Sequence, residues 1–280
     1  MNSDGFLLCG HGSRDPVSVE GFARIAAGLA PLLAGRPFAH GFMELAEPTL
    51  ETAVGRLVAA GAKRILAVPG FLFAARHMLE DLPRELAAAA GHHGVDVVLG
   101  RELGADARLI AALGDRLAAV IPAKAGIQSD RRIAATLDSR LRGNDEEIGL
   151  ILVGAGSSNA ATNAGLVTIA DELGHHHGFA AAVAGFASVA KPTVAEAIEI
   201  MRGQGHRRIL LLPWFLTEGS LLGLARRQAR AAVGDGALLI EAAALGAHPL
   251  VLATLAARAD ELARAAVLAS GALPSDGSSA

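Results

Sequence analysis

His11 lies between two glycines, Gly10 and Gly12, and is followed by Ser13 and Arg14. Glu44 and Glu47 stand just ahead of Pro48, and His77 ends the run that begins at Pro69. Two imidazoles with a carboxylate suit a borderline transition-metal ion. Imidazole is also the usual base near neutral pH. A reaction that binds a metal ion and removes protons would use this set directly. Each residue alone is weak evidence: a histidine between glycines can be an incidental turn residue, and a lone histidine is often just solvated. The glycines permit a tight turn with backbone N–H groups close to a ligand, and N–H groups ahead of a helix favour anions. The Gly10-x-Gly-Ser turn would also fit a phosphate-handling hydrolase, but it lacks a full P-loop and an obvious nucleophile–base pair.

Short apolar runs alternate with helical periods and bring these residues together. Strands are expected at 6–9, 38–43, 64–68 and 95–99, and helices at 17–33, 49–60, 79–90 and 107–120. Such alternation indicates an α/β fold with a parallel sheet and helices on its faces. Ligand sites in such sheets form at the carboxyl ends of the strands. His11, Glu44, Glu47 and His77 all fall at such ends and would share one rim.

The order then returns 144 residues later. Gly10-x-Gly-Ser13 recurs as Gly154-x-Gly-Ser157, Gly41-Phe42 as Gly185-Phe186, and Pro48-Thr49 as Pro192-Thr193. Pro69, Phe71 and Leu72 recur as Pro213, Phe215 and Leu216. One register kept so long marks an internal duplication. The polar residues do not recur: Ala155 replaces His11, Ser188 Glu44, Lys191 Glu47 and Leu221 His77. One competent site per chain is expected, on the first half. The expected organisation is a domain at 1–121, a linker or insertion at 122–147, a second domain at 148–269 and a flexible tail at 270–280. The 122–147 segment is rich in charge and turn formers, and its strings IPAKAGIQ and LDSRLRGNDE resemble a translated mobile repeat element.

Composition removes other classes of function. A net charge of −3 and no basic stripe argue against a nucleic-acid partner. Aromatics are 4% of the chain with no tyrosine, too few for a base-stacking platform. No apolar run reaches the ~18 residues of a membrane span. The first residues lack the basic and apolar regions of a secretion signal, so a cytoplasmic location is expected. Cys9 is the one cysteine, which excludes an intrachain disulfide, and it reads as a small buried hydrophobe. His92-His93 and His175-His176-His177 fall near expected helix ends and read as exposed termini.

The strings GHGSR, MELAEPT and PGFLFAARHMLEDLP resemble the sirohydrochlorin cobaltochelatases and their iron-inserting relatives. VGAGSSN, KPTVAEAI and RRILLLPWFLTEG resemble the histidine-poor repeat of the long, two-half form. The resemblance covers nearly the whole chain outside 122–147. It implies a chelatase-like fold of two duplicated α/β domains, each with a parallel four-stranded sheet flanked by helices. It implies insertion of a divalent metal, Co²⁺ first and Fe²⁺ as the alternative, into a sirohydrochlorin-type tetrapyrrole, without ATP or an organic cofactor. Cobalt comes first because the two-half form resembles enzymes of cobalamin synthesis. By position, His11 would be metal ligand and proton acceptor, His77 the second ligand, and Glu44 a further ligand or proton relay. Glu47 and the loop Leu72, Phe73, Ala74, Ala75, Arg76 would contact the tetrapyrrole. Ser13 and Arg14 would anchor its carboxylates. Arg76 stands where the family usually has glycine. The assembly expected is a monomer or homodimer, and a non-catalytic metal or tetrapyrrole carrier is the alternative of another class.

Overall fold

Alternate residues of the first strand serve two different helical layers, and this organises the first sheet. In a computed structural model of the chain, which describes residues 4–73, 77–121 and 148–269, β1 (Asp4–Gly10) is buried along its whole length. Leu7 and Cys9 share a core with α2 (Leu50–Ala59) and α3 (Leu82–His93), through Val54, Leu57, Leu82 and Leu86. Gly10 turns instead toward Phe22 of α1 (Pro16–Leu29). Burial on both faces is why β1 reads as a continuous apolar run rather than an alternating one. Cys9 is a buried free thiol, and burial pushes its pKa up.

The sheet is completed by β2 (Phe38–Phe42), β3 (Arg64–Pro69) and β4 (Asp96–Leu99), all parallel, in the order β2-β1-β3-β4. The chain runs from β1 outward to β2 and then back past β1 to β3, so the switch point lies at the carboxyl end of β1. Gly10 pairs with Phe42 and Cys9 with Pro69, so three strands end level. The second sheet repeats this as β6-β5-β7-β8, from β5 (Ile148–Gly154), β6 (Ala181–Phe186), β7 (Arg208–Pro213) and β8 (Leu238–Glu241). The two sheets bear out the expected α/β duplication.

Helix boundaries follow local chemistry. Asp15 caps α1 by accepting the Val17 N–H, and Thr49 caps α2 by accepting that of Thr52. The helical spacing expected over 17–33 divides: α1 stops at Leu29 and a 3-10 turn, Ala30–Leu33, follows, because Pro31 has no N–H to give. The helix expected at 79–90 starts as a π turn, His77–Asp81, and becomes α-helical at Leu82, with Pro83 in its first turn. In the second half the helices are α5 (Ala160–His177), α6 (Val194–Gly203) and α7 (Ser220–Val233). Thr193 and Glu196 form a full capping box on α6. Among the described residues no helix is long and apolar enough to cross a membrane.

By contact the chain divides into two compact units. One comprises residues 1–104 with 251–280, the other residues 105–250. Helix α4 (Ala107–Val120) therefore belongs with the second sheet, and α8 (Pro249–Ala269), from Val251 on, with the first. The bonds of α8 explain its placement. Arg258, 4% exposed, donates to the carbonyls of Glu102 and Leu103 at 3.1 and 2.7 Å. Arg64 donates to Ala266 O at 3.2 Å while its fork holds both oxygens of buried Asp4 at 2.9 Å. In the other unit Arg116 of α4 donates to Leu245 O at 2.7 Å. An amphipathic helix shows that it must cover a sheet but not which sheet. The expected linker at 122–147 and tail at 270–280 lie outside the described residues.

Arg258→Ala leaves two carbonyls of the loop after β4 without this donor. It is expected to lower stability by about 2 kcal/mol, read as a lower denaturant midpoint with an unchanged slope.

Candidate active site

The site starts from a ladder that outruns its strands. Beyond Gly10 the Met43 N–H donates to Gly10 O at 3.0 Å, and the Glu44 N–H donates to His11 O at 3.1 Å. Gly12 adopts φ 95°, and a Cβ there would lie 1.7 Å from Glu44 O. Only glycine fits. This contact sets the His11 and Glu44 side chains beside each other, with Nε2 3.7 Å from Oε1. Both are partly exposed. His11 Nδ1 lies 3.3 Å from Gly12 O. In the tautomer that donates from Nδ1 to this carbonyl, Nε2 carries the lone pair and can take a proton or a metal ion.

The surrounding residues hold this turn in place. The ring of Phe22 fills the space where Cβ atoms of Gly10 and Gly70 would stand, at 2.9 and 2.7 Å. It packs against Phe42 at 5.2 Å between centroids, and His40 meets Phe42 edge-on at 5.9 Å. Burial, with the charge of Arg56 as a smaller cause, pushes the His40 pKa below its ordinary value. The Gly70 N–H donates to Cys9 O at 2.8 Å, so the loop after β3 leaves from beside β1. Its next residues are tied by Leu103 N–H to Phe71 O and Gly104 N–H to Leu72 O, both at 2.9 Å.

Each expected site residue can now be placed. His11 and Glu44 come together. Glu47 Oε2 accepts the Thr49 N–H at 3.0 Å, so this carboxylate braces the turn into α2. Ser13 Oγ accepts the Asp15 N–H at 3.0 Å, which shapes the entry to α1, and Arg14 is exposed. Leu72 and Phe73 are half-buried at the start of the β3 loop. Ala74, Ala75, Arg76 and the His77 side chain lie outside the described residues; the His77 backbone opens the π turn before α3. Among the described residues no group of three or more histidine, cysteine or acidic side chains is gathered, and His11 with Glu44 is a pair.

The second unit repeats the scaffold. Gly156 has φ 87°, and a Cβ there would lie 1.9 Å from Ser188 O. The Ser188 N–H and Oγ both donate to Ala155 O at 3.1 Å. Lys191 is paired with Glu196. The remaining histidine clusters are helix ends: His92 reaches Glu51 at 2.8 Å, and His177 lies against Gly114. Leu45 and Val189, at φ 62° and 63°, escape sequence reasoning because an aliphatic residue gives no local sign of a left-handed backbone.

A family model described as CbiX matches residues 5–120 and 149–262. The sirohydrochlorin ferrochelatase of Priestia megaterium is 26% identical over 208 residues, 74% of this chain and 71% of that protein. The sirohydrochlorin cobaltochelatase of Methanothermobacter thermautotrophicus is 32% identical over 136 residues, 42% of this chain and 92% of that protein. Among solved structures, SirB from Bacillus subtilis with Fe³⁺ superposes with a TM-score of 0.76 at 22% identity, over 94% of this chain and 96% of that one.

Gly12→Ala drives a methyl into the Glu44 carbonyl and strains a positive φ. It is expected to cost about 1–3 kcal/mol, read by chemical denaturation. His40 supplies a pH dependence. Its pKa is depressed in the fold, so its contribution is complete above the ordinary value of 6.5 and is lost as pH falls below it. His40→Phe should therefore narrow the fall in Tm between pH 7.5 and pH 5 relative to wild type.

Proposed function

The chain belongs to the CbiX family, and on that premise we propose that it is a metal chelatase acting on a sirohydrochlorin-type tetrapyrrole. The observation that carries this reading is the His11 Nε2–Glu44 Oε1 pair, 3.7 Å apart at the ends of adjacent strands, with Nδ1 turned to Gly12 O. The named relatives that act on sirohydrochlorin support the substrate. Both iron and cobalt occur among them. We place Co²⁺ first, with synthesis of a cobalt corrinoid as its use, and Fe²⁺ second. An imidazole and carboxylate donor set accepts either ion.

Metal insertion replaces two pyrrole N–H protons by one divalent ion and releases both protons. Neutral His11 takes a pyrrole proton at Nε2, and the resulting imidazolium is stabilised by the Glu44 carboxylate beside it. Before that step the same nitrogen would hold the incoming metal ion, with His77 as second ligand and Glu44 as a further one; its lone pair is free for a proton once the ion has passed to the pyrrole nitrogens, and the second proton leaves to water. Bound on one side by protein, the ion keeps positions open for pyrrole nitrogens. Arg14, with Arg76 and backbone N–H groups near Ser13, anchors substrate carboxylates; Glu47 and the loop from Leu72 to Arg76 border the macrocycle. The reading includes no organic cofactor, no ATP, a cytoplasmic location and a monomer or homodimer.

The test is the visible spectrum of sirohydrochlorin mixed anaerobically with Co²⁺ and catalytic amounts of protein, then with Fe²⁺. Wild type is expected to accelerate formation of the metallated product, and His11→Ala to lose at least about a hundredfold in rate. Stoichiometric binding of metal or tetrapyrrole with no acceleration would replace the chelatase by a carrier. A faster reaction with Fe²⁺ than with Co²⁺ would reverse the order of the metals.

A further inference from the structure

Between Glu44 and Glu47 the backbone turns left-handed at Leu45, with φ 62°. A residue bearing a Cβ is disfavoured there, and a bulky aliphatic one most of all. The same turn in the second unit puts Val189 at φ 63°. The left-handed backbone is thus a property of the fold, since both copies have it. The side chain is not required by that backbone. Glycine would satisfy it, and Gly12 and Gly156 meet the same need on the same rims. Packing leaves much of the side chain in solvent: Leu45 is 48% exposed and Val189 is 76% exposed.

A branched apolar group is therefore held in an unfavourable conformation, half in solvent, one residue from the carboxylate that faces His11. A metal ion gains nothing from methyl groups. A flat, largely apolar ring system gains from every one it covers. Because the left-handed φ fixes the direction of Cβ, the group is pre-positioned and little entropy is lost when a ligand covers it. Resting on the chelatase reading above, we propose that Leu45 is an apolar seat for the tetrapyrrole macrocycle, setting affinity for the organic substrate and not for the metal.

The experiment uses the full chain with Leu45→Gly, Leu45→Asn and Leu45→Met. Glycine and asparagine both tolerate the left-handed backbone, so folding is retained or improved. Three quantities are read: binding of metal-free sirohydrochlorin by absorbance titration, binding of Co²⁺ alone by its visible bands, and the denaturant midpoint. The glycine and asparagine variants are expected to bind the tetrapyrrole about four- to tenfold more weakly. Co²⁺ affinity should be unchanged, and the midpoint equal to or above wild type. The methionine variant should keep tetrapyrrole affinity. Folded variants with wild-type tetrapyrrole affinity would overturn the role of Leu45 and leave the chelatase reading in place. Equal loss of both affinities would also overturn it, showing that the turn and not the side chain matters. A wild type that binds no tetrapyrrole would overturn both.

Discussion

Two backbone segments meet at the rim of the first sheet with no room for a Cβ between them. The Gly12 turn lies against the Glu44 carbonyl so closely that an added methyl would stand 1.7 Å from its oxygen. The β1–β2 ladder can then run past the formal end of the strands, through Met43 to Gly10 and Glu44 to His11. From that follows the side-by-side placement of an imidazole and a carboxylate. Phe22 supports the arrangement from below by occupying the space left by Gly10 and Gly70. The pair is built on the most buried strand of the sheet, which limits its movement.

The duplication separates the scaffold from its chemistry. The second unit keeps the steric contact at Gly156, the backbone bond from Ser188 to Ala155 and the cap at Thr193, at the same offset throughout. It replaces the imidazole with a methyl and the carboxylate with a hydroxyl that bonds back to its own loop. A fold of this kind stands without its reactive groups, so function is read from the side chains carried on the rim and not from the sheet.

Much of this was legible in the sequence because the signals were local. Strand and helix order came from alternation, the duplication from a constant offset, and the placing of His11 and Glu44 on one rim from the rule that sites gather at strand ends. Where the sequence reading fell short, the information was not local. Pro31 cuts α1 short through a missing donor, which the helical period does not register. The bond from the Thr49 N–H to Glu47 depends on the turn geometry and has no local sign. The partners of α4 and α8 are set by arginines reaching carbonyls far along the chain, as from Arg258 to Glu102 and Leu103. Leu45 carried no sign of its backbone conformation.

The exchange of α8 bears on how the protein is made. Chains are synthesised from the amino terminus, and domains generally fold as they emerge. The second unit, residues 105–250, is contiguous and can close as soon as it leaves the ribosome. The first unit is begun earliest and finished last, because the arginine that ties down the end of β4 arrives only with residue 258. The half that carries His11 and Glu44 thus depends on residues far along the chain, while the half without them is drawn from one continuous stretch.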